Sequence, residues 1–266
     1  MARYVELQVT SHFSFLRGAS SPEQLFSAAA LLGHKALGLV DWGSVAGVVR
    51  GWDAQKATSV RMIAGARVDL SDGKALLLYP TDRPAWSRLT RLLSVGKARG
   101  GKGRCLLDWA DLAHHAEGLI AILVPDLADN ETLTNLMELR DLFGPRGYLA
   151  LSLRRRPDDA TRLYELDAMA RKVGVRAVAT GDILYHSPES RPLQDIMTAI
   201  RERTSIDGLG TCSARGDISR CRYEGGRTMR RACMSWTRWR GRSECARWRQ
   251  ATFFIIRRNQ GLFRTS

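Results

Sequence analysis

A chain of 266 residues, 44% of them hydrophobic, is long enough to bury a core, so the composition indicates a globular protein. Its longest apolar runs, such as residues 118–125, are strand-sized and its first residues lack a secretory signal pattern; we therefore expect a cytoplasmic protein with no membrane partner. The net charge of +14 is not spread over the chain, because residues 211–266 carry +11 of it through 14 arginines and three acidic residues. A nucleic-acid surface covering the whole fold is thereby excluded.

Short β-type runs alternate with longer helical patterns up to about residue 210. Several runs are apolar throughout, as buried parallel strands are. The alternation predicts βα units around a largely parallel sheet. Seven strands are predicted: Val5–Thr10, Ala36–Asp41, Arg61–Asp69, Ala75–Tyr79, Leu119–Pro125, Tyr148–Leu153 and Arg176–Thr180.

Helix signals fill the gaps between these strands. Ser21-Pro22-Glu23-Gln24 offers an N-cap, a proline at the first helical position and a capping-box glutamine, which predicts a helix to about Leu32. A second helix is predicted from Pro157 through Arg171, and two more over residues 42–56 and 84–97. About seven strand–helix units predict an α/β fold with a TIM-like barrel, either (βα)8-related or a distorted (βα)7 version.

Function in such barrels resides at the carboxyl ends of the strands. The polar residues predicted there fall in five groups: Thr10-Ser-His12, Asp41-Trp42, Arg67 with Asp69, Asp126, and Asp182 to His186. A scaffold without chemistry would also place polar residues in these loops, so position alone does not decide between the two interpretations.

Several blocks of the sequence resemble family C DNA polymerases, the class that contains the alpha subunit of bacterial DNA polymerase III, and most resemble its error-prone branch. The blocks occur in the family's order over residues 4–207. They are Val5 to Ser20, Gly38-Leu-Val-Asp41, Ser44 to Arg50, Ala64 to Leu70, Leu78 to Asp82, Leu92 to Lys97, Ala179 to Pro188 and Arg191 to Glu202. The resemblance implies that residues 1–207 form a polymerase and histidinol phosphatase (PHP) domain, a distorted βα barrel that can hold metal ions at its strand ends.

The metal-binding motifs of catalytically competent relatives are replaced in this chain. Those relatives have a His-x-His pair after the first strand, a histidine after the second-strand aspartate, a glutamate in the third-strand motif and a closing Asp-x-His. The corresponding positions here are Gln8, Thr10, Trp42, Arg67 and Leu184. Asp182 is retained, while Arg67 adds positive charge where cations would lie. The resemblance therefore implies no catalytic residues and no bound metal.

An alternative site remains open at the same strand ends. His12, Asp41, Asp182 and His186 could form a rearranged centre holding manganese or zinc, which would make the protein a metal-dependent phosphoesterase or 3′–5′ exonuclease. Ordinary structural roles, with the aspartates capping loops and the histidines bonding backbone groups, are the competing interpretation and the one we favour.

Residues 208–266 do not continue the resemblance and are rich in arginine, tryptophan and cysteine. A shifted reading frame explains this segment best and predicts an irregular, disordered tail. The competing interpretation is a basic arm that binds nucleic acid, with tryptophans as stacking surfaces. The four cysteines, Cys212, Cys221, Cys233 and Cys245, include no Cys-x2-Cys pair and give a zinc site little support.

The resemblance implies a fragment of an error-prone DNA polymerase that acts in DNA-damage-induced synthesis. No polymerase active site is found in the sequence, so magnesium-dependent primer extension would belong to the parent protein. The expected partners are the remaining domains of that polymerase and, through it, DNA. The expected role of this segment is structural.

Overall fold

The computed structural model describes residues 4–153, 157–206, Leu209 and 227–228. Among these residues, no helix is long and apolar enough to cross a membrane. The described residues form nine strands: β1 (Glu6–Val9), β2 (Ala36–Trp42), β3 (Arg61–Asp69), β4 (Ala75–Pro80), β5 (Leu119–Leu123), β6 (Gly147–Ser152), β7 (Arg176–Thr180), β8 (Ile183–Tyr185) and β9 (Arg227–Thr228). All seven predicted strands are confirmed within two residues at each end, and β8 and β9 are additional.

In the described part of the chain, seven α-helices accompany the sheet: α1 (Pro22–Leu31), α2 (Val48–Thr58), α3 (Arg83–Gly100), α4 (Trp109–His115), α5 (Asn130–Phe143), α6 (Asp159–Val173) and α7 (Arg191–Glu202). The predicted capping box of α1 is present, since Gln24 and Ser21 bond each other's backbone N–H groups. The prediction that the second helix in the chain starts at residue 42 was wrong. This helix begins at Val48, because Trp42 completes β2 and a turn follows it.

One curled sheet contains all nine strands in the order β7-β6-β5-β4-β3-β2-β1-β8-β9. Neighbouring strands are parallel except for β4, which is antiparallel to both β3 and β5. Strands β3 and β4 are joined by a tight turn in which Gly73 has φ +90°, so no helix fits between them. The α/β, barrel-like fold class is confirmed, and the antiparallel β4 is the departure from a regular βα barrel.

The curl of the sheet creates an inner core. Inward-facing side chains from the first seven strands form one buried cluster: Val5, Leu7, Ala36, Val40, Ile63, Leu77, Tyr79, Ile120, Ile122, Tyr148, Ala150 and Val178. Tyr79 lies across this interior and donates a hydrogen bond to the carbonyl of Leu7. A Cβ on Gly65 would approach the Tyr79 ring to 2.7 Å, so glycine at this position leaves room for the ring. Two further clusters lie between the sheet and its helices.

Candidate functional site

The mouth of the curled sheet, at the carboxyl ends of β2 and β3, holds a buried arginine. Arg67 lies four residues after Ile63 on β3 and therefore faces the same side as the inner core. Its side chain is 1% exposed, its Nε is 3.2 Å from Asp69 Oδ1, and one terminal nitrogen is 3.8 Å from Asp182 Oδ1. The guanidinium thus lies between two carboxylates at the point where the sequence placed a metal-ligand position.

Trp42 covers this arginine. The parallel register of β2 and β3 pairs Trp42 with Arg67, and the guanidinium carbon of Arg67 lies 3.8 Å from the Trp42 ring centroid. On Trp42 a second guanidinium, that of Arg17, stacks at 3.3 Å. Cations above an aromatic face are attracted by the ring quadrupole, and desolvation strengthens the attraction. The mouth is therefore built from stacked cationic and aromatic groups.

The other replaced ligand positions also serve the packing of the mouth. Gln8 donates from Nε2 to Asp182 Oδ1 at 2.8 Å, and the backbone N–H of Thr10 donates to the carbonyl of Ile183 at 2.9 Å. Leu184 contributes its carbonyl, which accepts from Ala19 N–H. Within the described part of the chain, the buried oxygens Gln8 Oε1 and Thr10 Oγ1 have no hydrogen-bond partner. These hydrogen bonds connect β1 to β8 and to the loop before β8, and they connect β8 to the loop that follows β1.

Glu6 is a buried carboxylate of this region that the sequence reasoning missed. It accepts from the Tyr4 hydroxyl at 2.6 Å and from the backbone N–H groups of Gln8 and Gly181 at 2.7 and 3.0 Å. Burial raises the pKa of Glu6 to about 7; the three hydrogen bonds oppose this shift, and the nearby charge of Asp182 adds to it. The available signal was a glutamate placed directly between the apolar residues Val5 and Leu7 of a predicted strand.

The raised pKa of Glu6 makes stability depend on pH. The folded domain holds this proton more tightly than the unfolded chain does, so stability falls as the pH rises from about 4.5 to 7. The full shift corresponds to about 3 kcal/mol. Glu6→Gln should therefore remove this dependence: urea unfolding of wild type and variant between pH 5 and 8 should show the variant gaining relative to wild type as the pH rises. The exposed Glu117→Gln is the control, and a constant difference between wild type and Glu6→Gln would contradict the assignment.

Asp41 anchors the loop of residues 11–20 that follows β1. Its carboxylate accepts from the backbone N–H of Ser11 at 2.9 Å and from the hydroxyls of Ser11 and Ser14 at 2.9 and 2.7 Å. A Cβ on Gly47 would lie 2.4 Å from its Oδ2, so only glycine leaves room for the carboxylate. Burial raises the pKa of Asp41, and these hydrogen bonds oppose the shift. The geometry is that of a structural anchor.

The two histidines at the mouth have separate surroundings. His12 is exposed and stacks on Phe13 with ring centroids 4.6 Å apart. His186 is half-buried, and its Nδ1 is 2.8 Å from the hydroxyl of Ser20. Ser20 also accepts from the backbone N–H groups of His186 and, through its carbonyl, of His12. The structure thus places both histidines next to Ser20, with Asp41 and Asp182 bonded elsewhere.

The donor set of the mouth does not suit a divalent metal. In the ranges that the structure describes, no three His, Cys, Asp or Glu side chains are grouped so that they could hold one ion. The guanidinium of Arg67, 3.8 Å from Asp182, would repel any cation at that carboxylate.

Comparison with known proteins identifies the same family that the sequence blocks resemble. The PHP domain family matches residues 6–172. Error-prone DNA polymerase 3 of Agrobacterium fabrum is 54% identical over 207 residues, and Error-prone DNA polymerase 2 of Rhizobium meliloti is 53% identical over 208 residues. Each match covers 78% of this chain and 19% of the relative, so the chain spans about a fifth of the length of these curated relatives. The predicted resemblance is confirmed.

Solved structures of similar fold are more distant in sequence. An amidohydrolase from Chromobacterium violaceum, with sulfate and no metal bound, gives a TM-score of 0.56 at 14% identity, over 70% of this chain and 89% of that one. A protein from Bifidobacterium adolescentis assigned as a metal-dependent phosphoesterase gives 0.54 at 13% identity, over 68% and 88%. At these identities the likeness concerns the fold alone.

Proposed function

The chain belongs to the PHP domain family, and we propose that it is the PHP domain of an error-prone DNA polymerase, with a structural role and no hydrolytic activity of its own. Identities of 51–54% to five error-prone polymerases support the parent assignment. By the same likeness, the parent polymerase would be a cytoplasmic enzyme that synthesises DNA in response to DNA damage. Primer extension there would depend on magnesium held outside the region matched here.

The observation that carries the structural role is the ion pairing of Arg67. A buried guanidinium between Asp69 and Asp182 balances the carboxylates of the mouth with a group of the chain itself. In a hydrolase of this fold, a carboxylate such as that of Asp182 would help to hold an ion that activates a water molecule. Here the cationic position is taken by a side chain that can supply neither an open coordination position nor a water of lowered pKa.

Metal content and phosphodiester hydrolysis test this proposal on the purified full chain. We expect substoichiometric manganese and zinc by mass spectrometry, no hydrolysis of bis(p-nitrophenyl) phosphate above a blank without protein, and no primer extension with magnesium. His12→Ala should change none of these readouts. The control variant His114→Ala, on the surface of α4, should also leave them unchanged. Two or three metals per chain, with turnover lost in His12→Ala and kept in His114→Ala, would establish the phosphoesterase instead.

A further inference from the structure

Helix α7 shows an inverted distribution of polar and apolar side chains. Its exposed side carries Leu193, Ile196 and Ile200, which are 51%, 44% and 58% exposed. Their spacing of three and four residues places them on one stripe of the helix. A surface helix normally turns such a stripe toward its own core. This stripe faces away from the core of the described domain.

The buried side of α7 is correspondingly polar. Gln194 and Thr198 are buried there and bond each other, with Gln194 Nε2 donating to Thr198 Oγ1 at 2.9 Å. Ala199 is the apolar residue that accompanies them. Both partners of this bond belong to α7 itself, so the helix turns a polar side toward the domain and leaves its aliphatic stripe outward.

The loop of residues 11–20 lies beside α7 and carries a further exposed apolar side chain. Arg201 of α7 donates to the carbonyl of Leu16 at 2.8 Å, which joins the helix to this loop. Phe15, the neighbour of Leu16, is 84% exposed. Hydrogen bonds from Ser11 and Ser14 to Asp41 tie this loop to β2. A large aromatic ring presented on this loop resembles the anchors that dominate protein interfaces.

The charges around the stripe favour a protein partner over nucleic acid. Arg191 lies 3.6 Å from Asp195, and Arg201 lies 2.9 Å from Glu202, so each of these arginines already has a carboxylate beside it on the helix. Nucleic-acid affinity comes mainly from basic groups that neutralise phosphates. A surface of branched aliphatic side chains with internally balanced charge fits an apolar protein surface better.

We propose that α7 and Phe15 form the face on which the rest of the polymerase chain docks. This inference rests on the proposed function, because the occupant is the four-fifths of the error-prone polymerases that lies outside the matched region. Helix α7 is the last helix of more than one turn among the described residues, so the shared region presents this stripe close to where its described elements end. The docking face is defined as Phe15, Leu193, Ile196 and Ile200.

Capture in trans tests the docking face with the full chain. The bait is a tagged Agrobacterium fabrum polymerase that lacks its matching region. A bait preparation is used after it has been shown to capture that matching region, added as a separate chain. We expect it to capture this chain in a 1:1 ratio in buffer containing EDTA. Leu193→Asp with Ile200→Asp should lower the captured amount roughly tenfold or more, because charges would enter a desolvated centre. The matched control is Leu31→Asp with Val49→Asp, which alters exposed apolar residues of α1 and α2.

The outcomes separate this inference from the proposed function. Equal capture of both double variants, or no capture of the wild-type chain, overturns the docking face. Binding of a fluorescent single-stranded oligonucleotide that is lost in the α7 variant would overturn it in favour of a nucleic-acid surface. None of these readouts depends on metal content or hydrolysis, so a failure of the structural role would be visible separately. Circular dichroism of each variant before capture verifies that the fold is intact.

Discussion

Replacement of Arg67 by alanine is expected to lower the free energy of unfolding by about 3 kcal/mol. The guanidinium is buried, stacks on Trp42 and lies beside Asp69 and Asp182. Its removal leaves two carboxylates without their cation and a cavity beneath the Trp42 ring. Because the two aspartates are partly exposed, water can reach them, and the loss should be near the lower end for a broken buried pair. Urea unfolding of the full chain at pH 7 measures it.

Two further variants separate charge from packing at this position. Arg67→Met keeps most of the volume against Trp42 and should lose less than Arg67→Ala. Arg88→Ala, which removes a more exposed arginine paired with Glu117, should change stability by less than about 1 kcal/mol. If Arg67→Ala unfolded at the same urea concentration as wild type, the guanidinium would not be the counterion of the mouth.

Replacement of Asp41 by alanine is expected to destabilise the domain by about 3 kcal/mol or more, since it leaves several buried donors unpaired. The Ser11 N–H and the hydroxyls of Ser11 and Ser14 would lose their acceptor. The loop of residues 11–20 should also open, so chymotrypsin should cut at Phe13 or Phe15 faster than in wild type. Asp41→Asn keeps one oxygen and should have a smaller effect.

The control for Asp41 is Asp53→Ala on the outer surface of α2, where the carboxylate pairs with the exposed Lys56. This variant should match wild type in urea unfolding and in the rate of cleavage. Unchanged cleavage at Phe13 and Phe15 in Asp41→Ala would mean that other contacts hold the loop.

Much of the fold followed from local signals. The strands were visible because apolar runs of strand length were bounded by turn residues, and α1 because Ser21 and Gln24 form a capping box. The antiparallel direction of β4 was not predictable, because the sequence pattern of an apolar strand is the same for both directions. Its direction is set by the short turn at Gly73, which leaves no length for a crossover helix.

The site was predictable as a set of positions and not as a set of contacts. The sequence placed Trp42 and Arg67 at neighbouring strand ends, but their stacking depends on the register of β2 and β3. Glu6 was missed because its burial, and the hydrogen bond that it accepts from Gly181, arise from parts of the chain that are distant in sequence. The interpretations of residues 208–266 fall, apart from three residues, outside the described part of the chain, and they stay predictions.

A counterion that belongs to the chain has no dissociation constant. The charge of Arg67 cannot be diluted, exchanged for a competing ion or withdrawn by a chelator. A domain whose carboxylates were balanced by a bound ion would gain stability by mass action, in proportion to the logarithm of the ion's free concentration. The charge that Arg67 places beside Asp69 and Asp182 is set at synthesis and does not vary with the metal supply of the cell.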